Sequence, residues 1–189
     1  MKKNIPNLIT ILNLFSGCIS ITLAFSGYKF LPLAGLLIFI AAIFDFLDGL
    51  SARLLKSYSE LGKQLDSLSD LISFGLAPAV IVFQLLNASI GKEDLFNPNS
   101  SLDAFMHGTS ALNYYKTYSI SELLITFSAF IITVFSALRL AKFNIDSRQT
   151  SSFIGLPTPA NAILFASLPI ILLFGECSLI NNLILNTYV

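Results

Sequence analysis

The chain has 189 residues, of which 54% are hydrophobic and 12% charged, and its formal net charge is zero. Soluble domains carry about 25% charged residues, so this composition excludes an ordinary soluble protein. The zero net charge also argues against nucleic acid as a partner, because nucleic-acid-binding proteins present an excess of cationic side chains.

Long apolar segments predict an all-α fold, a polytopic bundle of membrane helices. A helix needs roughly 20 mostly apolar residues to cross a bilayer. A sixth such segment begins near Leu179, but only eleven residues remain before the chain ends. We therefore expect six or more transmembrane helices with the last one truncated, in a single domain (residues 1–189) that is incomplete at its C-terminus. The other predicted spans are Leu8–Phe25, Leu31–Leu50, Leu71–Ile90, Leu123–Leu140 and Ala160–Phe174.

The placement of Lys and Arg residues predicts the orientation of these spans. Eight of the eleven Lys and Arg residues fall on one side of the predicted membrane, and only Lys29, Lys92 and Lys116 fall on the other side. Cytoplasmic loops are enriched in Lys and Arg, so we expect the first side to face the cytoplasm, in a bacterial inner membrane. The polar segment Gly91–Ser119 would then lie outside.

Four carboxylates lie where the second predicted span ends and the third begins. On helices, Asp45 and Asp48 share one face, and Asp66 and Asp70 share another. Two such faces opposite each other make a cage that needs cations, because like charges repel. Carboxylate oxygens without nearby His or Cys suit Mg²⁺, Mn²⁺ or Ca²⁺. The whole motif, D-x2-D-G-x2-A-R-x8-G-x3-D-x3-D, comprises Asp45, Asp48, Gly49, Ala52, Arg53, Gly62, Asp66 and Asp70.

The remaining motif positions suit a phosphate-bearing ligand. Metal ions held by shared carboxylates can clamp a diphosphate and stabilise its leaving oxygen. The planar fork of Arg53 suits a phosphate, and Gly49 and Gly62 let a nucleotide approach the backbone closely. Ala52 permits tight helix packing or a flat ligand. Asp70 can ligate metal and accept a proton from an attacking hydroxyl.

The complete motif resembles the signature of the CDP-alcohol phosphatidyltransferases, with all eight positions at that family's spacing. The resemblance implies an integral membrane enzyme with a Mg²⁺ or Mn²⁺ site built from the four aspartates, Asp70 also being the base. It further implies a CDP-linked lipid donor that contacts Gly49, Ala52, Arg53 and Gly62.

Three stretches outside the motif resemble the phosphatidylserine synthase branch of this family. They are Ile5–Thr10 with Asn13, Arg139–Asn144 and Phe153–Ala160. This branch implies that a phosphatidyl group passes from CDP-diacylglycerol to L-serine, giving phosphatidylserine and CMP.

A physical argument also favours serine as the acceptor. A serine carboxylate needs a cation, and Arg139 and Lys142 lie on the same predicted membrane face as the motif. Inositol carries no charge and would not need such a group. Glycerol 3-phosphate would also need cations, so this argument does not exclude it as the acceptor. Either side chain can instead be a cytoplasmic anchor at a helix end.

Other functions and partners stay open at this stage. The same reaction class could use glycerol 3-phosphate or inositol as acceptor. A transporter coupled to ions could also carry intramembrane carboxylates, although carriers more often show repeated halves. Membrane lipids are expected around the bundle, and a homodimer is compatible with the sequence.

Overall fold

The computed structural model describes residues 5–57, 59–90, 119–145 and 156–174, and the regular structure in these ranges is entirely helical. A 3₁₀ turn, Tyr28–Phe30, precedes the second helix, and a π-helical turn, Leu71–Leu76, follows the third. The helices are α1 (Ile5–Phe25), α2 (Leu31–Leu54), α3 (Glu60–Asp70), α4 (Ala77–Ser89), α5 (Ile120–Ser128), α6 (Ile131–Ile145) and α7 (Thr158–Phe174).

Four helical segments among the described residues are long and apolar enough to cross a membrane. They are Ile5–Phe25, Tyr28–Leu54, Glu60–Ser89 and Ile120–Ile145. The fifth predicted span corresponds to the shorter apolar helix α7, and the sixth, near Leu179, lies outside the described residues, as do residues 91–118. Within the described ranges, the predictions of helical structure and of apolar helices long enough to cross a membrane are therefore confirmed.

The helix that contains the third predicted span, Leu71–Ile90, extends further toward the N-terminus than the span itself. Continuous helical structure begins at Glu60. Ser59 caps this start, because its hydroxyl accepts a hydrogen bond from the Gly62 backbone amide at 3.0 Å. The polar residues of α3 lowered the hydropathy of the segment without interrupting the helix.

The core of the bundle is built where small residues let helices approach closely. A side-chain carbon on Gly35 of α2 would collide with the backbone carbonyl oxygen of Ala166 in α7. One on Gly17 of α1 would lie 2.9 Å from the Cα atom of Ser73 in the π-helical turn. Close contact between small residues is a usual basis of helix packing in membranes. These contacts fix α1, α2 and α7 around the segment that carries Asp70.

Candidate metal and substrate site

Three motif carboxylates converge at one end of α2 and α3. Asp45 and Asp48 lie in the last three turns of α2, and Asp66 lies in α3. One oxygen from each lies within 4.8 Å of the others. Two oxygens on opposite sides of Mg²⁺ are about 4.2 Å apart, since each Mg–O distance is about 2.1 Å. Oxygens on adjacent sides of the ion lie only about 3 Å apart, so the three carboxylates would have to approach one another to bind one Mg²⁺ ion.

Asp70, the last residue of α3, lies beside this group and is 9% exposed. Its carboxyl group lies near those of Asp45, Asp48 and Asp66. Carboxylates in such proximity repel one another unless a proton or a cation lies between them. The four oxygen-bearing side chains thus fit a hard divalent cation better than a soft one.

The first helix supplies two contacts that the sequence analysis did not assign. The Thr10 hydroxyl donates a hydrogen bond to Asp48 Oδ2 at 2.7 Å. The Asn13 amide donates to Asp70 Oδ1 at 3.4 Å, a long and therefore weak bond. A signal was present, because buried polar or small residues recur every three or four positions along this apolar helix. They are Thr10, Asn13, Ser16, Gly17 and Ser20.

A cavity of about 650 Å³ opens beside the carboxylates. This volume lies within the usual range of roughly 300–1,000 Å³ for small-molecule sites. Asp48 and Asp66 border it, and so do all four predicted donor-binding residues. Those four are Gly49, Ala52, Arg53 and Gly62.

The two glycines of the motif have different surroundings. No atom beyond its own helical turns lies within 4 Å of where a Gly49 side-chain carbon would be, so that position faces open space. At Gly62 the same carbon would lie 2.9 Å from both Asn7 Oδ1 and Ser59 Oγ. Gly62 therefore has a structural reason to lack a side chain, in addition to any approach by a ligand.

The two cationic residues proposed for serine have different surroundings in the structure. Arg139 borders a second cavity of about 390 Å³, whose polar lining also includes Ser136, Thr158 and Asn161. Lys142 is exposed and borders neither of these cavities. Helix α6 nevertheless connects the two regions, since it also carries Phe143, which borders the larger cavity.

The end of α6 is tied directly to the carboxylate-bearing helix. The Asn144 amide donates a hydrogen bond to the Ser67 hydroxyl at 2.9 Å, and Ser67 directly follows Asp66.

Comparison with known proteins places this geometry in context. The model of the CDP-alcohol phosphatidyltransferase family matches residues 3–188. No solved structure matches the chain significantly.

Three curated relatives are each named CDP-diacylglycerol–serine O-phosphatidyltransferase. The protein from Helicobacter pylori (strain 26695) is 34% identical over 84% of this chain and 54% of its own length. That from Methanocaldococcus jannaschii is 33% identical over 97% of this chain and 65% of its own. The Bacillus subtilis (strain 168) protein is 32% identical over 93% of this chain and 83% of its own.

The chain thus spans between about half and two thirds of the first two of these relatives. The match to the family model, in contrast, covers nearly all residues of this chain. The chain belongs to the CDP-alcohol phosphatidyltransferase family.

Proposed function

We propose that the protein transfers a phosphatidyl group from CDP-diacylglycerol to L-serine, giving phosphatidylserine and CMP. One observation carries the proposal: Asp48 and Asp66 border the same cavity as the four remaining non-acidic motif residues. Acidic metal ligands and a phosphate-binding surface are thereby combined in one site. The names of the three relatives support the choice of serine.

The donor would occupy the larger cavity with its diphosphate toward the carboxylates. A Mg²⁺ or Mn²⁺ ion held by Asp45, Asp48, Asp66 and Asp70 would neutralise the diphosphate and the departing CMP. Arg53 binds the diphosphate oxygens through its two parallel N–H groups. The open space at Gly49 lets the donor contact the backbone of α2.

Asp70 is proposed as the general base. It accepts the proton from the serine hydroxyl, and the resulting oxygen attacks the phosphorus of the phosphatidyl group. The bond from that phosphorus to the CMP oxygen breaks, so that CMP leaves with the bonding electrons.

The serine carboxylate is proposed to bind Arg139. The neighbouring cavity offers a cation with polar groups from Ser136, Thr158 and Asn161, which together suit a small zwitterion. The exposed position of Lys142 gives no comparable support to its predicted role in binding serine, and a lysine at a helix end serves equally as a membrane anchor.

We also propose that residues 1–189 form one membrane domain whose site opens to the cytoplasm, in a bacterial inner membrane. Six or more spans would require crossing segments in addition to the four that the structure describes. Lipid acyl chains would lie against the exposed apolar helix faces, and a homodimer is compatible with such faces.

One experiment separates this proposal from the transporter alternative, which the relatives do not support. Membranes containing the full chain are given CDP-diacylglycerol and Mg²⁺, and CMP is measured before and after an alcohol is added. We expect CMP release that depends on the alcohol and is lost in Asp66→Asn. A protein that moves substrates without releasing CMP would contradict the proposal.

A further inference from the structure

We propose that Thr10 of α1 is a positioning residue for the metal site, acting through Asp48. The inference rests on the proposed use of Asp48 as a metal ligand. It assigns a function to a helix that contains no residue of the acidic motif.

The hydroxyl of Thr10 has one proton and two acceptors within reach. Asp48 Oδ2 lies at 2.7 Å, and the backbone carbonyl oxygen of Pro6 lies at 3.0 Å. A bond to a charged carboxylate is shorter and stronger than one to a neutral carbonyl, so the proton is directed to Asp48. Thr10 is 3% exposed and borders the larger cavity beside Asp48. The bond therefore sets the rotation of the carboxylate that faces the metal position.

The backbone around Thr10 is held in place by the helix that carries the other two carboxylates. The Ser69 hydroxyl donates to the Thr10 carbonyl oxygen at 3.2 Å, and the Ser73 hydroxyl donates to the Asn13 carbonyl oxygen at 3.0 Å. The close approach of Gly17 to Ser73 keeps α1 against this segment. Thr10 thus contacts Asp48 of α2 through its side chain and Ser69 of α3 through its backbone.

Such partners of metal ligands usually change metal affinity about 10-fold to 100-fold when they are removed. Thr10→Val removes the hydroxyl but keeps the branched shape, and Thr10→Ser keeps the hydroxyl. Thr22→Val is a matched control on the same helix, because the Thr22 hydroxyl donates to the carbonyl oxygen of Cys18 within α1 and is exposed.

The test measures Mn²⁺ affinity of the purified full chain by electron paramagnetic resonance of free Mn²⁺, without substrates. We expect Thr10→Val to weaken binding about 10-fold to 100-fold, while Thr10→Ser and Thr22→Val stay near the original affinity. Thr10→Val binding Mn²⁺ as tightly as Thr22→Val would overturn the proposal, as would equal losses in Thr10→Ser and Thr10→Val.

A double-mutant cycle separates a specific effect from general damage to the fold. In an Asp48→Ala background, Thr10→Val should cause little further loss of Mn²⁺ affinity, since the carboxylate that accepts the Thr10 hydrogen bond is already removed. Fully additive losses would contradict action through Asp48. CMP release with serine, measured on the unsubstituted chain, tests the proposed reaction separately, so the two ideas can fail independently.

Discussion

Substitution of Gly49 by alanine should stabilise the folded protein but weaken its binding of CDP-diacylglycerol. Gly49 lies inside α2, where glycine is less favourable than alanine by roughly 0.5–1 kcal/mol. A methyl group there would meet no neighbouring atom within 4 Å. Gly49→Ala should therefore stabilise the fold, raising the unfolding temperature by about 1–4 °C for a protein of this size.

The same methyl group should weaken donor binding, because it would project into the cavity that the diphosphate is proposed to occupy. Crowding of a well-packed site by one methyl group typically costs about 1–3 kcal/mol. This corresponds to an increase of roughly 5-fold to 150-fold in the dissociation constant for CDP-diacylglycerol. Thermal unfolding in detergent and binding of a radiolabelled donor provide the two measurements.

Gly35→Ala is the matched control for this experiment. The new methyl group would collide with the Ala166 backbone, so α2 and α7 would have to separate. We expect a lower unfolding temperature and an unchanged donor affinity in the folded protein. If Gly49→Ala bound the donor as tightly as the unsubstituted chain, Gly49 would not lie at the donor surface. If it unfolded at a lower temperature, the open space at this position would be refuted.

The remaining predictions concern the metal and three charged side chains. Chelation should abolish CMP release and added Mg²⁺ or Mn²⁺ should restore it, whereas full activity in excess chelator would refute the metal site. Asp70→Asn should lower turnover by roughly 10²–10⁴-fold while donor binding persists, and near-normal turnover would remove it as the base. Arg53→Ala should weaken donor binding, and an unchanged donor affinity would argue against that contact. Arg139→Ala should raise the KM for serine roughly 10-fold to 150-fold, with partial recovery in Arg139→Lys, and an unchanged KM would assign Arg139 to anchoring.

The sequence predicted the helical framework well because apolar length is a strong local signal. It did not indicate that the helix of the third span extends back to Glu60, because α3 is polar and adds no apolar signal. The spacing of the motif correctly indicated which carboxylates share a helix face. Their separation in space depends on how α2 and α3 each pack against α1, and only the structure supplies it.

Contacts between distant parts of the chain could not be predicted in the same way. Thr10 and Asp48 are 38 residues apart, and no local pattern specifies that pair. Arg139 and Lys142 looked equivalent because they are three positions apart on one helix. In the structure Arg139 borders a cavity that residues of α7 also line, whereas Lys142 is exposed and borders neither of the two cavities.

The choice of acceptor is tested most directly by the lipid product itself. Membranes containing the full chain are supplied with CDP-diacylglycerol and Mn²⁺, and with serine, glycerol 3-phosphate or inositol in parallel. Asp66→Asn membranes serve as the background control, and lipids are identified by mass spectrometry. We expect phosphatidylserine to form with serine, together with an equal amount of CMP, and little product with the other acceptors. Formation of phosphatidylglycerol phosphate or phosphatidylinositol in place of phosphatidylserine would contradict the proposed function.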